Sequence, residues 1–517
     1  MITSRLKSGA SLPEFTRSAT PSIGSLALRL PWTRWPAFII VALIGLAVRL
    51  PHLGARPMHT DEAINGYIVG QLLQGEAFTY DPQDRHGPAL AALALPLARM
   101  QGAKSFSDLT ESELRTTSVA AGTITILLFG AAAEMFGVVP CLLAALLFAV
   151  APLPVYYDRY FIHESLFCAA TFALILSSWR SFNRRSVGYA ALAGACVALM
   201  VACKETAILH LFALTVAALV SNVWDLRGKS FTKSFRLGPL LAGVSTFLAL
   251  IVILFTWFGR NWKSFFALER VAPNVFARST GQGHEHPFWY FGKLLVSGWS
   301  GGVLVGLACF GLFIAFRKRD ASAYQFLAYY GLIVAAIYSL IPYKTPWLAL
   351  NLWLPLALLA AMSVESIWSM AETRFGHRAA VLSFGIPAML LGLLIVHDTR
   401  QRVFLAPVEE SNPYAYAHTS DDILSLPSEI ADAARREGIN TPRIAVIASD
   451  PWPLPWYLRQ FQQVGFWQPG QQVPAADFYI TSTEAADQYA GTLRGFRPDF
   501  FGSRPGVLIL LWLPEGK

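Results

Sequence analysis

The stretch PWLALNLWLPLALLAAMSVESIW, residues 346–368, contains a single charged residue, Glu365. A helix needs about 20 mostly apolar residues to cross the hydrocarbon core of a bilayer, and this stretch is long enough. Runs of similar length and character recur along the chain. The sequence therefore predicts an all-α polytopic membrane protein with about eleven membrane-spanning helices, near 36–53, 116–136, 138–156, 163–180, 187–203, 205–222, 237–258, 292–316, 323–341, 346–368 and 378–397.

Composition also indicates a membrane protein. Of the 517 residues, 54% are hydrophobic and only 14% are charged, too few charges to cover a soluble protein of this size. Lys and Arg outnumber Asp and Glu by 41 to 33. This moderate excess is typical of cytoplasmic loops facing anionic lipid, and no basic patch with interleaved aromatic residues indicates nucleic-acid binding. The five cysteines lie in apolar runs without metal-ligand spacing, as core residues do.

The basic residues predict the orientation of the helices. The tail 1–35 is polar and basic, and no small-residue cleavage site follows the first apolar run, so we expect a cytoplasmic tail. The apolar run 88–100 is too short to span a bilayer comfortably. When it is left outside the membrane, the strongly basic loops all fall on the cytoplasmic side, as the positive-inside rule requires. These loops are 180–186, 225–236, 316–320 and 372–378.

The same topology places the polar connections on the non-cytoplasmic face. They are rich in carboxylate, His and Tyr side chains, which a purely structural membrane protein does not need at one face. The sequence therefore predicts a polar cavity that opens to the extracytoplasmic side of the inner membrane. The connections are 54–115, 155–165, 203–206, 259–291 and 341–347, together with everything after 398.

The C-terminal region 398–517 differs from the apolar domain 36–397. Strand-like runs at 443–449, 477–483 and 507–513 alternate with helical patterns, which predicts a small extracytoplasmic α/β domain with a mainly parallel sheet. It contains no Gly-rich phosphate-binding fingerprint. We expect its closely spaced aromatic residues to stack on sugar or to lie against lipid: Trp452, Trp456 and Tyr457.

The stretch MHTDEA (58–63) places two adjacent carboxylates just beyond the first apolar run. Thr60 or Asp61 is a candidate N-cap of a helix that begins here, where the helix dipole favours an acid. Alternatively, Asp61 or Glu62 acts as a general base or orients a cation beside a phosphate. The two interpretations are compatible.

Four further outer segments contain residues that suit an anionic lipid head group. Arg binds phosphate oxygens bidentately and Lys acts as a point charge, while His, Glu and Tyr suit sugar hydroxyls or a metal. An ordinary turn, interfacial anchoring by tyrosines or a tight helical hairpin are the structural alternatives. The candidates are Arg85 and His86, then Arg159, His163 and Glu164, then Lys204 and Glu205, and finally Tyr343 and Lys344.

These motifs together resemble a GT-C glycosyltransferase of the PMT/ArnT-like superfamily, whose members have an acidic motif in the first large outer loop. Within that group the chain is most similar to the family named "flippase activity-associated", known from archaeal and bacterial glycosylation clusters. The motifs that carry the resemblance are MHTDEA (58–63), YDPQDRHGP (80–88), YYDRYFIHES (156–165), CKET (203–206), YKTPW (343–347), NPYAYAHTS (412–420) and DPWPLPWYLRQF (450–461).

The resemblance implies transfer of a sugar from a polyprenyl-phosphate donor to a lipid, protein or glycan acceptor. By the same resemblance, Asp61 is the catalytic base and Glu62 its supporting partner. The residues implied to line the cavity are His59, Arg85, His86, Arg159, His163, Glu164, Lys204 and Glu205. Some relatives bind a divalent cation; the candidate ligands for one are His59, His86, Glu164 and Glu205, whose spacing is not diagnostic.

Two other classes of protein compete with the enzyme. A transporter or flippase of lipid-linked glycans would carry repeats and ionisable groups near the membrane midplane, whereas here the charges lie at outer helix ends and no repeat is visible. A non-catalytic scaffold for envelope glycans would tolerate the loss of Asp61 and Arg159 together. The sequence alone leaves the sugar, the acceptor, metal dependence and the oligomeric state open.

Overall fold

The computed structural model describes residues 34–223, 237–279, 283–318 and 321–515. The expected cytoplasmic tail 1–35 lies almost wholly outside these residues, and the basic loop 225–236 lies wholly outside them. Each predicted apolar run falls mainly on helical residues, but the runs 138–156 and 292–316 are each divided between two helices. The helices are α1 (Trp35–Arg49), α2 (Thr60–Leu73), α3 (Ala89–Met100), α4 (Glu111–Phe136), α5 (Val138–Val150), α6 (Pro152–Tyr157), α7 (Glu164–Arg184), α8 (Val187–Cys203), α9 (Ala207–Ser221), α10 (Leu237–Phe255), α11 (Trp262–Phe266), α12 (Val271–Ser279), α13 (Tyr290–Leu295), α14 (Gly298–Arg317), α15 (Ser322–Leu340), α16 (Ala349–Phe375) and α17 (His377–Thr399).

The lengths of the helices identify the membrane region. Within the described residues, seven helices are long and apolar enough to cross a bilayer, and five further apolar helices are shorter. The run 88–100 forms one of the shorter ones, the 12-residue helix α3, which at 1.5 Å per residue is only about 18 Å long. This helix is too short for the hydrocarbon core of about 30 Å.

Two glycines separate consecutive long helices. Gly137 has a φ of 94° between α4 and α5, and Gly376 has a φ of 83° between α16 and α17. This backbone conformation is strained for any residue with a Cβ atom, so glycine allows one helix to end and the next to begin without a longer loop.

Burial distinguishes the centre of the bundle from its rim. The first fifteen residues of α16, Ala349–Ser363, are all buried, whereas α10 and α17 are mostly exposed along their apolar surfaces. Exposed apolar helices have a favourable environment only in lipid. The bundle is therefore built around α16, with α10 and α17 at its margin.

The C-terminal region forms a five-stranded sheet within the described residues. The strand order is β2-β1-β3-β5-β4, with parallel pairs β1/β2 and β1/β3 and antiparallel pairs β3/β5 and β4/β5. The sheet is therefore mixed and not mainly parallel. The elements of this region are α18 (Leu426–Arg436), β1 (Arg443–Ile447), α19 (Leu454–Tyr457), β2 (Gln463–Trp467), β3 (Phe478–Ser482), α20 (Thr483–Gln488), β4 (Phe496–Arg504) and β5 (Val507–Pro514).

The sheet packs onto the helical region through one of its faces. Ile444, Val446 and Ile480 on that face belong to the same apolar cluster as the helices. Ala445 and Ile447, which point to the opposite face, belong to a small separate cluster. Alternation of side chains along the strands produces this division, and it fixes the C-terminal region against the end of the bundle that contains α2.

Candidate active site

A cavity of about 370 Å³ lies where the polar connections of the chain meet. Its volume falls in the range of small-molecule sites in proteins. The cavity is lined by Asp61, Ile64, Asn65, Pro82, Asp84, Arg85, His86, Ile162, His163, Glu164, Lys204, Glu205, Thr206, Leu209, Asn274, Val275, His284, Tyr338, Ile341, Tyr343, Thr345, Trp347 and Leu348. Residues far apart in sequence thus converge on one polar space with apolar walls.

The two adjacent carboxylates at the start of α2 have different environments. The N-cap of α2 is His59, whose Nδ1 accepts a hydrogen bond from the Asp61 backbone N–H at 3.1 Å. Glu62 completes a capping box by accepting from the His59 backbone N–H at 3.0 Å. The expectation that Thr60 or Asp61 caps this helix is therefore wrong. The Asp61 side chain lines the cavity, and within the described residues its carboxylate has no hydrogen-bond or ion-pair partner.

Glu62 is fully buried and bound on both carboxylate oxygens. Arg115 donates to both at 2.8 Å, and the Phe161 backbone N–H donates to Oε1, also at 2.8 Å. Burial alone would raise the pKa of Glu62, but the charge and hydrogen bonds of Arg115 lower it to about 2. Glu62 is thus a permanently ionised structural anchor that lies outside the cavity.

Arg115 uses its remaining donors on the loop that leads to Asp61. Its Nη1 donates to the carbonyls of Leu53 and Arg56 at 2.8 and 2.9 Å, and its Nη2 donates to the carbonyl of Pro57 at 3.1 Å. Since each carbonyl is held by a buried charge, the loop has one defined path. The Glu62–Arg115 pair therefore sets the position from which Asp61 enters the cavity.

The other charges of the cavity are paired. Arg85 donates to Asp84 through Nε and Nη2 at 3.0 and 2.7 Å, and Lys204 forms an ion pair with Glu164. His86 Nδ1 lies 2.8 Å from Glu205 Oε2.

Tyr80 donates to the other oxygen of Glu205 at 3.0 Å. Burial would raise the pKa of Glu205, but the charge and hydrogen bond of His86, with the bond from Tyr80, lower it to about 2.

Two other predicted residues are near this group. The ring of His163 lies 5.1 Å from that of His86, at the start of α7, and the side chain of Tyr343 also lines the cavity. Eight of the predicted site residues therefore meet at one place: Asp61, Arg85, His86, His163, Glu164, Lys204, Glu205 and Tyr343.

Three other predicted residues support the site without lining it. His59 caps α2 and contacts the Tyr416 carbonyl through Nε2 at 3.1 Å. Arg159 donates to the carbonyls of Arg49, Pro51 and His52, so its guanidinium holds backbone and is turned away from the cavity.

The third of these residues is Lys344. Its ammonium group donates to the carbonyls of His286 and Ile341 at 3.0 and 2.5 Å. It therefore ties the loop 283–287 to the end of α15, while its neighbours Tyr343 and Thr345 face the cavity.

The sequence analysis missed several residues of the cavity. His284 comes from the stretch GHEH (283–286) between α12 and α13, and the two His residues of that stretch were an available signal. Thr345 is buried, and its hydroxyl has no hydrogen-bond partner among the described residues. Such a group is costly to bury unless something binds it, so it is available to a substrate. Tyr338, Asn65 and Asn274 give no signal in sequence, because single polar residues in helices are common.

The expected cation ligands are distributed over separate pairs. Both ring nitrogens of His59 are used, His86 is bound to Glu205, and Glu164 is bound to Lys204. Among the residues that the structure describes, no group of three or more His, Cys, Asp or Glu side chains is arranged to hold a metal ion.

The aromatic residues near the C-terminus are also placed differently from the expectation. Trp456 is completely buried against α2, and its Nε1 donates to Glu111 at the start of α4 at 2.6 Å. Tyr457 is buried and its hydroxyl accepts from the Met58 backbone N–H at 2.8 Å. The prediction that these two residues stack on sugar or face lipid is wrong, since both are enclosed by protein.

The helices thus form a bundle with a polar cavity at one end, and this architecture has counterparts among known proteins. A family model described as dolichyl-phosphate-mannose-protein mannosyltransferase matches residues 101–260. No curated protein matches the sequence significantly.

Solved structures show the same fold. ArnT from Cupriavidus metallidurans is similar in its apo state, with a TM-score of 0.62 at 15% identity, over 92% of this chain and 97% of that one. The same enzyme bound to undecaprenyl phosphate gives a TM-score of 0.61 at 15% identity and the same coverage. The oligosaccharyltransferase AglB from Archaeoglobus fulgidus, with an inhibitory peptide and a dolichol-phosphate, gives a TM-score of 0.54 at 12% identity, over 92% and 74%.

These likenesses confirm the GT-C, PMT/ArnT-like resemblance that the motifs indicated. The family match and the fold both support a glycosyltransferase, and the fold together with the apolar helices supports an integral membrane protein. The closer similarity to the "flippase activity-associated" family stays a prediction.

Proposed function

We propose that the protein transfers a sugar from a polyprenyl-phosphate donor to an acceptor hydroxyl, with Asp61 as the general base. The observation that carries the proposal is the half-buried carboxylate of Asp61 in a cavity where the other carboxylates are engaged by cations. A base must have a free lone pair and reach the proton that it removes. Asp61 meets the first condition and its place in the cavity supports the second.

In the proposed reaction the acceptor oxygen attacks the anomeric carbon and gives its proton to Asp61, while the bond from that carbon to the phosphate oxygen breaks. The lipid phosphate leaves with the bonding electrons. Inversion at the anomeric carbon needs only this one base. The similar structures support the donor class, since ArnT is bound to undecaprenyl phosphate and AglB to a dolichol-phosphate.

Two cations remain able to bind the leaving phosphate. Arg85 uses Nε and Nη2 on Asp84, which leaves its Nη1 as a donor. Lys204 has three N–H donors, of which Glu164 engages one. Fixed cations in a partly water-excluded site stabilise the charge that develops on the phosphate, and the hydroxyls of Thr345 and Tyr343 are placed to contact the sugar.

The proposal includes the orientation of the chain. We place the cavity and the C-terminal region 398–517 on the extracytoplasmic side of the cytoplasmic membrane. The helix ends that are connected at 184–187 (α7 to α8) and at 375–377 (α16 to α17) then lie on the cytoplasmic side. The positive-inside distribution of the basic loops supports this orientation. The division into a helical domain 36–397 and an α/β domain 398–517 is part of the same proposal.

The Asp61→Asn variant tests the catalytic role. We expect its transfer rate to fall about 10²- to 10⁴-fold, the range that general base catalysis contributes, with no loss of thermal stability because the carboxylate has no partner to lose. The assay uses purified protein in lipid nanodiscs, undecaprenyl phosphate linked to glucose, mannose, galactose or arabinose, and membranes from cells lacking the protein. Release of undecaprenyl phosphate is measured by mass spectrometry.

Asp84→Asn is the matched control, because Asp84 is a more exposed carboxylate at the same cavity. It should keep most of the activity. Full activity of Asp61→Asn would refute the base assignment. Movement of the intact donor across proteoliposomes without sugar transfer by the wild-type protein would favour a flippase.

A further inference from the structure

The segment NPYAYAHTS (412–420) connects the start of α2 to an outer loop on the other side of the cavity. The carbonyl of Tyr416 lies 3.1 Å from His59 Nε2, and His59 Nδ1 accepts from the Asp61 backbone N–H. The hydroxyl of the same tyrosine lies 2.6 Å from His284 Nδ1. One residue of the C-terminal region thus fixes both the backbone of Asp61 and the imidazole of His284.

These hydrogen bonds determine how the rings are oriented. Since Nδ1 of His59 accepts, its Nε2 carries the proton and donates to the Tyr416 carbonyl, so this neutral ring is fully engaged. In His284, Nδ1 is engaged by the Tyr416 hydroxyl, and Nε2 has no hydrogen-bond partner within the described parts of the chain. His284 lines the cavity together with Asp61.

The loop that contains His284 is held in place by backbone contacts. Glu285 forms an antiparallel bridge with Tyr343, and the Lys344 backbone N–H donates to the His284 carbonyl at 3.0 Å. His284 itself is half-buried, whereas Glu285 beside it is exposed. The imidazole therefore lies between the interior of the cavity and bulk water, on a backbone that is fixed.

Several charged or titratable groups surround this imidazole. Partial burial lowers the pKa of His284 below its ordinary value of 6.5, and the charges of Asp61 and Glu285 oppose that effect. A ring that is neutral near pH 7 is able to accept a proton. The groups facing it are Asp61 and His59 from the start of α2, Glu285 and His286 from its own loop, Tyr343 and Lys344 from the segment after α15, and Tyr416.

We propose that His284 is a proton relay that receives the acceptor proton from Asp61 and releases it to water. The inference deepens the proposed function and rests on it. The acceptor O–H bond breaks as the bond from oxygen to the anomeric carbon forms, and the proton passes to the Asp61 carboxylate. It then moves to Nε2 of His284, which restores the Asp61 anion, and leaves for solvent. Tyr416 is the positioning residue that holds the ring.

The pH dependence of the rate distinguishes a relay from a structural role. As the pH falls through the pKa of His284, the ring becomes protonated and cannot accept, so the wild-type rate should fall on the acid side. His284→Gln keeps a polar side chain but does not titrate. It should lower the rate about 10- to 100-fold, at the low end of what positioned proton transfer contributes. The fall in rate at acid pH that is caused by protonation of the histidine, here called the acid limb, should be absent.

Two further variants complete the experiment. Tyr416→Phe keeps the carbonyl that binds His59 but loses the hydroxyl that binds His284. It should therefore shift the pH at which the rate falls on the acid side. His286→Gln changes a histidine in the same loop that does not line the cavity, and it should keep the wild-type profile. Thermal unfolding of each variant reports folding; if His284→Gln is unfolded, Tyr416→Phe decides the question.

The donors and the readout are those used for Asp61→Asn, namely undecaprenyl phosphate linked to a hexose or to arabinose, and its release. An acid limb that is the same in the wild type, in His284→Gln and in Tyr416→Phe overturns the relay while leaving the glycosyltransferase intact. No release from any of these donors by the wild-type protein overturns the proposed function, and the relay with it.

Discussion

Asp61 and Glu62 are adjacent in sequence and opposite in environment. Glu62 is buried and accepts hydrogen bonds on both oxygens, whereas the carboxylate of Asp61 faces the cavity. The sequence predicts that the pair lies near a site, but it does not tell which carboxylate is free. That distinction depends on Arg115, whose guanidinium is brought to Glu62 by the fold over a separation of 53 residues.

Replacing Glu62 by Gln should destabilise the protein strongly. Arg115 would remain buried without its counter-charge, and breaking a buried pair in this way costs about 3–5 kcal/mol. Thermal unfolding in detergent or nanodiscs measures the loss. Glu113→Gln is the matched control, because Glu113 completes the same kind of capping box at the exposed start of α4 and should cost no more than about 1 kcal/mol. Equal effects of the two substitutions would contradict the anchoring role.

The same carboxylate predicts a dependence of stability on pH. The pKa of Glu62 is about 2 in the folded protein and near 4.5 in the unfolded chain. Its contribution to the free energy of unfolding is therefore fully present above about pH 4.5 and is lost as the pH falls towards 2. In Glu62→Gln that part of the acid destabilisation should be absent when unfolding is followed between pH 6 and 3.

Within the candidate site, the sequence analysis was most accurate for charged residues that interrupt an apolar run. Lys204 and Glu205 interrupt an apolar run, and both line the cavity in the structure. Arg159 looks similar in sequence, but its donors are taken by backbone carbonyls of the loop after α1. The number of carbonyls within reach depends on three-dimensional packing, which a single sequence does not contain.

At the level of the elements, α9 and α15 are joined inside the bundle by a polar contact. His210 of α9 is completely buried, and its two ring nitrogens lie 2.8 and 2.5 Å from the hydroxyls of Tyr330 and Tyr338 on α15. Tyr338 also lines the cavity. The contact therefore fixes the position of one cavity wall.

The His210→Leu variant should weaken this helix pair. It removes the imidazole that contacts both tyrosine hydroxyls, and hydrogen bonds between membrane helices contribute about 0.6 kcal/mol on average and up to about 1.7 kcal/mol each. We expect a loss of about 1–3 kcal/mol in unfolding free energy, measured by thermal or denaturant unfolding. His210→Gln retains donor and acceptor groups and should recover part of the loss; an unchanged stability of His210→Leu would show that the contact is dispensable.

The helices were easier to predict than the strands. An apolar run of about 20 residues has few alternatives to a helix in a bilayer, and nine of the eleven predicted runs fall on a single helix, while 138–156 and 292–316 are each divided between two. Strands β2 and β4 were missed because Gln463–Trp467 contains a glycine, a residue depleted in strands, and Phe496–Arg504 has no regular alternation of apolar residues. Without those strands the antiparallel pairing of β4 with β5 could not be foreseen, and a parallel sheet was predicted.

At the scale of the whole molecule, the proposed orientation can be tested by labelling. We expect Ser428→Cys, on exposed α18, to react with a membrane-impermeant maleimide in intact cells, because that end of the bundle faces outwards. Asn183→Cys, in the exposed last turn of α7, should react only after the membrane is opened. Cys309→Ala removes the one cysteine that is exposed among the described residues. The reverse pattern would place the cavity on the cytoplasmic side.

The C-terminal region is part of the architecture of the cavity. The Thr419 hydroxyl donates to the Met58 carbonyl at 2.6 Å, and the Tyr457 hydroxyl accepts from the N–H of the same residue. Both contacts hold the backbone three residues before Asp61. The region therefore shapes the approach to the base from outside the helical bundle, which explains why motifs in this part of the chain accompany those of the outer loops.

The ion pair that closes the outer end of α1 has a consequence for biosynthesis. Arg49 and Asp158 are both fully buried, 2.8 Å apart, yet they are separated by 109 residues. At a translation rate of about 5–20 residues per second, Arg49 emerges from the ribosome roughly 5–20 s before its counter-ion. During that interval its side chain has to reach the lipid head groups for solvation, since a charge within the hydrocarbon is costly. We therefore expect α1 to complete its packing only after Asp158 has been synthesised.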